Sequence, residues 1–468
     1  MLFNSFDFLV FFVVVVTTYF LLPHKFRWAF LLLSSCIFYM YFIPVYILVL
    51  FTTIIIDYFL GISIDQAIKP QRKVFLILSI VSNLSILAFF KYFNFLNENL
   101  GLLFHGSGYS GLLPYLNIAL PIGLSFHTFQ AISYTTDIYR GEQKAERHFG
   151  IYALYIMFFP QLVAGPIERA HHMLHQFREK HEFDSTRIVY GLQLIFWGLY
   201  KKVVVADTIA IYVNSIYNNY THNKGLTLIV ATYAFAFQIY CDFSGYSDIA
   251  VGTSKVLGFD LTQNFNLPYF SKSITEFWRR WHISFSTWLR DYLYIPLGGN
   301  RSGKIKMHRN LMITMLLGGL WHGASWNFVI WGFLNGIYLS IEKVLASLGL
   351  KNVLAKPLKV FITFNLICFA WIFFRAETFH QAITIIRNIF TYVGFFNIRM
   401  QDTEIFVSML LKVFLLLLVE FFLLRKYTLN FQNTKRPLVY SLAFNAGLIL
   451  LIVLFGIKQG TQFIYFQF

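Results

Sequence analysis

The segment "LMITMLLGGLWHGASWNFVIWGFLNGIYLSI" (residues 311–341) contains no Asp, Glu, Lys or Arg and a single histidine, His322. At 31 residues it is too long for one upright bilayer crossing of about 20 residues and too short for two. Five glycines fall inside it: Gly318, Gly319, Gly323, Gly332 and Gly336. The following loop, "EKVLASLGLKNVLAKPLK" (342–359), is rich in lysine and reads as cytoplasmic. The segment is therefore expected to dip into the membrane and return, with His322 deep in a glycine-rich turn. Irregular backbone at that depth needs protein or a water-filled cavity around it.

The rest of the chain fits a membrane setting. Of 468 residues, 57% are hydrophobic and only 13% charged, against about a quarter charged in soluble domains. Apolar runs at 8–22, 74–90, 405–424 and 438–457 are spanning candidates. The expected class is an all-α polytopic membrane protein with roughly ten or eleven crossings, because only internally hydrogen-bonded backbone is stable in lipid. The whole chain, 1–468, reads as one membrane-embedded domain. The formal charge of +16 does not point to nucleic acid, since the basic residues cluster in short loops as orientation signals do. Cys36, Cys241 and Cys368 lie in or beside apolar runs without metal-ligand spacing, so neither a disulfide framework nor a zinc site is expected. The first apolar run has no basic segment before it and no small-residue cleavage site after it, as in a retained helix rather than a signal peptide.

Lys and Arg near the runs set the expected topology. Lys25 and Arg27 place the first loop inside and the N-terminus outside. A hairpin broken at Pro44 follows, and Lys69, Arg72 and Lys73 mark another inside loop. The loop "NENLGLLFHGSGYSGLL" (97–113) has neither Lys nor Arg and reads as external, and "RGEQKAERH" (140–148) returns inside. Arg425, Lys426, Lys435 and Arg436 place the last loop inside and the C-terminus outside. Residues 255–310 carry nine basic and three acidic residues and form the largest inside segment.

Within that segment, "SITEFWRRWHISFSTWLRDYLY" (273–294) opens on a capping box, Ser273 with Glu276. Helical spacing sets Phe277, Trp281, Trp288 and Tyr292 in one aromatic stripe. Trp278, Leu289 and His282 lie along one margin, with Arg279 and Arg290 beyond. One reading is an amphipathic anchor at the inner interface. The other is a cytosolic vestibule, in which Arg279, Arg280 and Arg290, flanked by Trp278 and Trp281, receive the phosphates of coenzyme A or phosphopantetheine.

Four stretches in order, "FFPQLVAGPIER" (158–169), "YCDFSGYSDIAVG" (240–252), "FWRRWHISFSTWLRDYLYIPLGG" (277–299) and "GLWHGASWNFVIWG" (319–332), resemble membrane-bound O-acyltransferases. "LPIGLSFHTFQAISYTTDIYRG" (120–141) is similar to the bacterial branch of alginate and peptidoglycan O-acetyltransferases and the teichoic-acid D-alanyl transfer protein. The resemblance covers nearly the whole chain. It implies a ring of helices with re-entrant segments around a funnel, His322 at the family's catalytic histidine and His282 at its second implicated position. It also implies that an acyl group from a cytosolic thioester, with acetyl-CoA as donor substrate, crosses the inner membrane. A membrane-anchored or periplasmic acetyltransferase partner would then complete transfer to a cell-surface polymer. No permanently bound cofactor is implied.

The chemistry of such a transfer suits His322. An apolar setting disfavours the imidazolium, and a neutral imidazole accepts the hydroxyl proton as the thioester is attacked. The bland alternative is a core histidine bonded to a helix carbonyl, but intramembrane ionisable groups are functional by default. Asp242 and Asp248 flank "FSGYS" and have three open readings: orienting an imidazole, pairing with Arg279 or Arg280, or belonging to a buried polar network. His171 and His175 in "ERAHHMLHQF" have i, i+4 spacing, yet their surroundings read as a solvated surface and no metal is expected. The tail "KQGTQFIYFQF" (458–468) is expected outside. Its Tyr465 is either an aromatic-belt anchor or the hydroxyl that receives the acyl group before a partner does.

The leading expectation is an O-acetyltransferase for a polysaccharide of peptidoglycan or alginate type. D-alanyl transfer to teichoic acid from a carrier protein is the alternative within the same class. A lipid or solute transporter is the alternative of another class, and it would show matching broken helices in both halves.

Overall fold

A computed structural model describes residues 1–104, 114–163, 165–301, 303–350, 354–396, 403–424, 438–457 and 463–464. Among these the regular structure is entirely helical. The chain divides into two compact units, one of Met1–Ile188 with Thr253–Thr262, the other of Val189–Gly252 with Gln263–Phe468.

The helices are α1 (Phe6–Leu21), α2 (His24–Met40), α3 (Ile47–Gln66), α4 (Lys69–Leu87), α5 (Phe93–Phe104), α6 (Leu124–Arg140) and α7 (Phe149–Met157), then single turns α8 (Phe159–Leu162) and α9 (Ala170–Met173). They continue as α10 (Ser185–Leu199), α11 (Asp207–Tyr217), α12 (Leu226–Leu257), α13 (Ile274–Trp278), α14 (Ile283–Leu289), α15 (Lys304–His322), α16 (Trp326–Ser347), α17 (Lys356–Arg375), α18 (Phe379–Thr391), α19 (Thr403–Leu418) and α20 (Leu438–Phe455). The apolar runs of the sequence lie in these helices, those at 74–90 and 405–424 continuing into π-helical turns at Ala88–Tyr92 and Val419–Leu424, and Pro44 opens a single 3-10 turn between α2 and α3, where its missing N–H does no harm.

Five stretches of the described chain are long and apolar enough to cross a membrane: Pro44–Gln66, Lys69–Leu103, Leu226–Leu257, Trp326–Ser347 and Lys356–Arg375. With the shorter apolar helices Phe6–Leu21 and Ser441–Phe455 they account for part of the ten or eleven crossings expected. The stretches differ in surroundings. The apolar window of Lys69–Leu103 is 17% buried within the protein, whereas that of Leu226–Leu257 is 72% buried. α4 thus shows Val74, Ile77, Val81 and Leu84 outward, an apolar face that water would not tolerate at this extent and lipid does.

In the first unit, a polar cluster sits among the spans. Asp57 on α3 accepts hydrogen bonds from Ser79 (2.6 Å) and Asn83 (2.8 Å) on α4, and one turn earlier Thr53 meets His127 of α6 at 2.5 Å. Polar groups this deep must satisfy one another.

In the second unit, α15 and α16 form a helical hairpin broken at residues 323–325, inside the 311–341 stretch, and both helices run beyond the ends of that stretch. The glycines serve mainly to let the two helices touch backbone to backbone. A Cβ on Gly319 would lie 2.2 Å from the Phe328 carbonyl oxygen, and one on Gly332 would lie 2.3 Å from that of Met315. Ser325 caps α16, accepting from the Asn327 amide at 3.3 Å.

The continuous amphipathic helix expected over 273–294 is corrected by the structure. Its start holds: Ser273 accepts from the Glu276 amide (3.1 Å), and Glu276 accepts in turn from the Lys272 amide (2.9 Å). The helix then stops at Trp278, turns through residues 279–282, and resumes as α14, which passes into a π-helical turn at Arg290–Tyr294.

Candidate active site

The turn between α13 and α14 exists because another segment grips it from both sides. Asn264 accepts from the Ile283 amide through its carbonyl (2.9 Å) and from the Ser284 amide through its side chain (3.2 Å). The Asn266 amide donates to the Arg280 carbonyl (2.9 Å). Between these clasps His282 adopts φ 44°, ψ 57°, a left-handed conformation uncommon outside glycine that needs surrounding structure to hold it.

The His282 ring is fully buried. It stacks on Phe285 with centroids 4.9 Å apart and 17° between planes, and meets Phe243 edge-on at 4.6 Å. His282 lies outside the spanning helices, and burial pushes its imidazole down to about 3, so it is neutral at physiological pH.

His322 is the last residue of α15 and is 4% exposed. Trp331 meets it edge-on at 5.0 Å, Phe374 at 5.3 Å and Phe285 at 5.4 Å. Phe285 and Trp321, stacked on each other at 4.5 Å, lie between the two imidazoles: Trp321 is 5.0 Å from His322 and 6.1 Å from His282. The structure thus gathers both predicted histidines into one aromatic cluster.

Beside this cluster is a cavity of about 540 Å³, within the size range of small-molecule sites. Its lining includes Trp278, Arg279, Arg290, Leu289, Met315 and Lys343. Trp278 also packs edge-on against Trp331 at 5.7 Å, so one indole separates the cavity wall from His322. Three of the five predicted donor-binding residues, Trp278, Arg279 and Arg290, line this space. Arg290 also pairs with Asp291 (2.7 Å).

The other two are elsewhere. Arg280 turns to Glu276 (2.7 Å), and Trp281 is buried against Phe265, Phe277 and Trp371. The helix that was to keep them with their neighbours ends at Trp278.

Lys343 was not singled out from the sequence, where it counted only as an orientation signal. Its signal lay in the spacing: Gly332, Gly336, Leu339 and Lys343 follow one another at steps of four, three and four, along one face of α16.

The pairing of Asp242 or Asp248 with Arg279 or Arg280 is also corrected. Asp248 pairs with Lys201 at 2.5 Å, and Asp242 pairs with Lys202 at 2.5 Å. Both lysines sit on a π-helical turn, Tyr200–Ala206, between α10 and α11. The buried-network reading of the two aspartates is the one the structure supports. The His175 Nδ1 lies 3.2 Å from the His171 carbonyl, and its Nε2 lies 3.9 Å from Glu179. Tyr465 lies outside the described residues.

A chain with this arrangement, an imidazole at a helix break beside a cation-lined cavity in a multi-helix membrane protein, matches the model of the MBOAT, membrane-bound O-acyltransferase family, over residues 78–376. The chain belongs to the membrane-bound O-acyltransferase family. This acyltransferase is 39% identical to the probable alginate O-acetylase AlgI of Pseudomonas aeruginosa, over 93% of its own length and 84% of that protein's. It is 34% identical to the peptidoglycan O-acetyltransferase of Helicobacter pylori, covering 94% and 91%. It is 28% identical to the teichoic acid D-alanyltransferase of Bacillus subtilis over 57% of its length and 72% of that protein's. It is a multi-pass membrane enzyme that transfers acyl groups.

Proposed function

We propose that the protein takes an acetyl group from cytosolic acetyl-CoA and moves it across the inner membrane for O-acetylation of a cell-surface polysaccharide of alginate or peptidoglycan type. The observation that carries this reading is the placement of His322, walled by Phe285, Trp331 and Phe374, next to a cavity lined by Arg279, Arg290 and Lys343. The cations suit the phosphates of a coenzyme A thioester. The relatives covered over most of this chain's length are named for O-acetylation, which favours acetyl over D-alanyl. N- and C-termini outside the cytoplasm, and a membrane-anchored or periplasmic partner, complete the reading.

In the reaction, a hydroxyl oxygen attacks the thioester carbonyl carbon while neutral His322 takes the hydroxyl proton. The C–S bond breaks, the sulfur leaves, and the imidazolium returns the proton to it as free thiol. His282, stacked under Phe285, positions this machinery. The accepting hydroxyl in this scheme is that of Tyr465, and a second transfer passes the acetyl outward to the partner or the polymer.

Incubation of the purified protein with radiolabelled acetyl-CoA, followed by peptide mapping, tests the scheme. Label is expected on the C-terminal peptide, and Tyr465→Phe should remove it while leaving acetyl-CoA binding unchanged. Labelling from a D-alanyl carrier protein but not from acetyl-CoA would replace this reading with the D-alanyl one. Full labelling of Tyr465→Phe would end the relay.

The cavity makes its own prediction. Arg279→Ala and Lys343→Ala each remove a charge-assisted contact to donor phosphate, worth about 1.5–3 kcal/mol. KM for acetyl-CoA should rise about 10- to 100-fold with a smaller change in kcat. Initial rates over a donor titration measure this, and an unchanged KM in both variants would remove the donor from this cavity.

A further inference from the structure

The described residues after α20 meet other parts of the second unit at two points. Just after α20, the Ile457 amide donates to the Val203 carbonyl of the π-helical turn at 3.0 Å. Further on, the Ile464 amide donates to Asp242 of α12 at 2.7 Å. Phe463 and Ile464 are buried, and Phe463 stacks on Tyr246 with centroids 4.5 Å apart at 27°. Phe463 also meets Phe243 at 5.8 Å, and Phe243 meets His282 edge-on at 4.6 Å. A continuous line of rings therefore runs from the tail through Phe243, His282 and Phe285 to His322.

The carboxylate that receives the tail is itself fixed. Lys202 lies 2.5 Å from Asp242 and 3.0 Å from Asp207, and all three side chains are buried. One ammonium faces two carboxyl groups, and the tail adds a further donor to one of them, the Ile464 amide on Asp242. A buried ion pair of this kind adds little net stability, because desolvation offsets much of the attraction. What it does provide is a carboxylate at a fixed position. The π turn is what allows it: consecutive residues Lys201 and Lys202 reach Asp248 and Asp242, one helical turn and more apart on α12.

We propose that Asp242, held by Lys202 and Asp207, together with the Tyr246–Phe243 face, forms a docking groove for the chain's own C-terminal segment, and that Asp242 is a positioning residue setting the register of that segment beside the His282–Phe285–His322 ring line. The purpose of this register rests on the acyl-transfer reading above; the docking does not.

The test uses the full-length protein in detergent micelles, with carboxypeptidase digestion followed by intact mass, and donor kinetics alongside. The wild-type tail should resist digestion. Asp242→Ala and Phe463→Ala should each release C-terminal residues about tenfold faster or more. Their kcat should fall about 10- to 100-fold through misplacement, with KM for acetyl-CoA within about twofold. Asp242→Asn, which keeps an oxygen for the Ile464 amide, should recover part of both protection and kcat. Rapid digestion of the wild-type tail, or wild-type resistance in both Asp242→Ala and Phe463→Ala, overturns the docking. A released tail with unchanged kcat overturns the positioning role. If the wild type transfers no acetyl group at all, the functional reading fails while the digestion still judges the groove.

Discussion

His322→Ala is expected to fold and insert normally and to lose acyl transfer by about 10²–10⁴-fold, the range a general base contributes. The fold should survive because the elements around the residue do not depend on the imidazole. The α15–α16 hairpin is closed by Gly319 and Gly332, and α16 is capped by Ser325. Asn327 ties the start of α16 to the Ala376 carbonyl at 2.7 Å. The chemistry should fail because the rings that meet His322, Phe285, Trp321, Trp331 and Phe374, cannot take up a proton in its place. KM for the donor should change little, since the cavity is lined by Arg279, Arg290 and Lys343 rather than by His322. Size-exclusion profiles establish the fold, and transfer from radiolabelled acetyl-CoA gives the rate. A variant that keeps wild-type turnover would remove His322 from catalysis.

Much of this was legible in the residues because hydrophobic pattern is local. The apolar runs, the break at Pro44, the capping box at Ser273 and the return of the 311–341 segment all depend on neighbours a few positions away. The features that escaped depend on distant partners. Nothing between 273 and 294 announces the stop at Trp278; its aromatic period continues through, and the break is imposed by Asn264 and Asn266. That break is why Arg279 lines the cavity while Arg280, the next residue, turns to Glu276. Lys201 and Lys202 stand in an apolar run where Asp207 is the one acid close by, and it accounts for only one contact of Lys202; their partners Asp248 and Asp242 lie forty or more residues on. The aspartates stand out in the sequence and a buried network is one of their open readings, but no local pattern names Lys201 and Lys202 as its other members. An unmatched charge inside an apolar run identifies a pair without naming its members.

Gly319→Ala should show how far the site depends on helix contact rather than on the histidine alone. The added Cβ would lie 2.2 Å from the Phe328 carbonyl oxygen and 3.2 Å from the Gly332 Cα. Both obstacles are backbone, so no side-chain rotation relieves them, and α15 must move away from α16. Overpacking of this kind costs about 1–3 kcal/mol. Gly319 is three residues from His322, so the movement reaches the imidazole, and a displacement of about 1 Å costs on the order of 10²-fold in rate. The expected result is a lowered melting temperature together with a kcat reduced by about that factor. Gly447→Ala on α20 is the matching control, because a Cβ there meets nothing within 4 Å. The same substitution in that helix should be neutral or stabilise by about 0.5–1 kcal/mol. Thermal unfolding in detergent and donor kinetics on the two variants separate the cases. Gly319→Ala behaving like Gly447→Ala would mean that the close approach of α15 and α16 does not hold His322 in place.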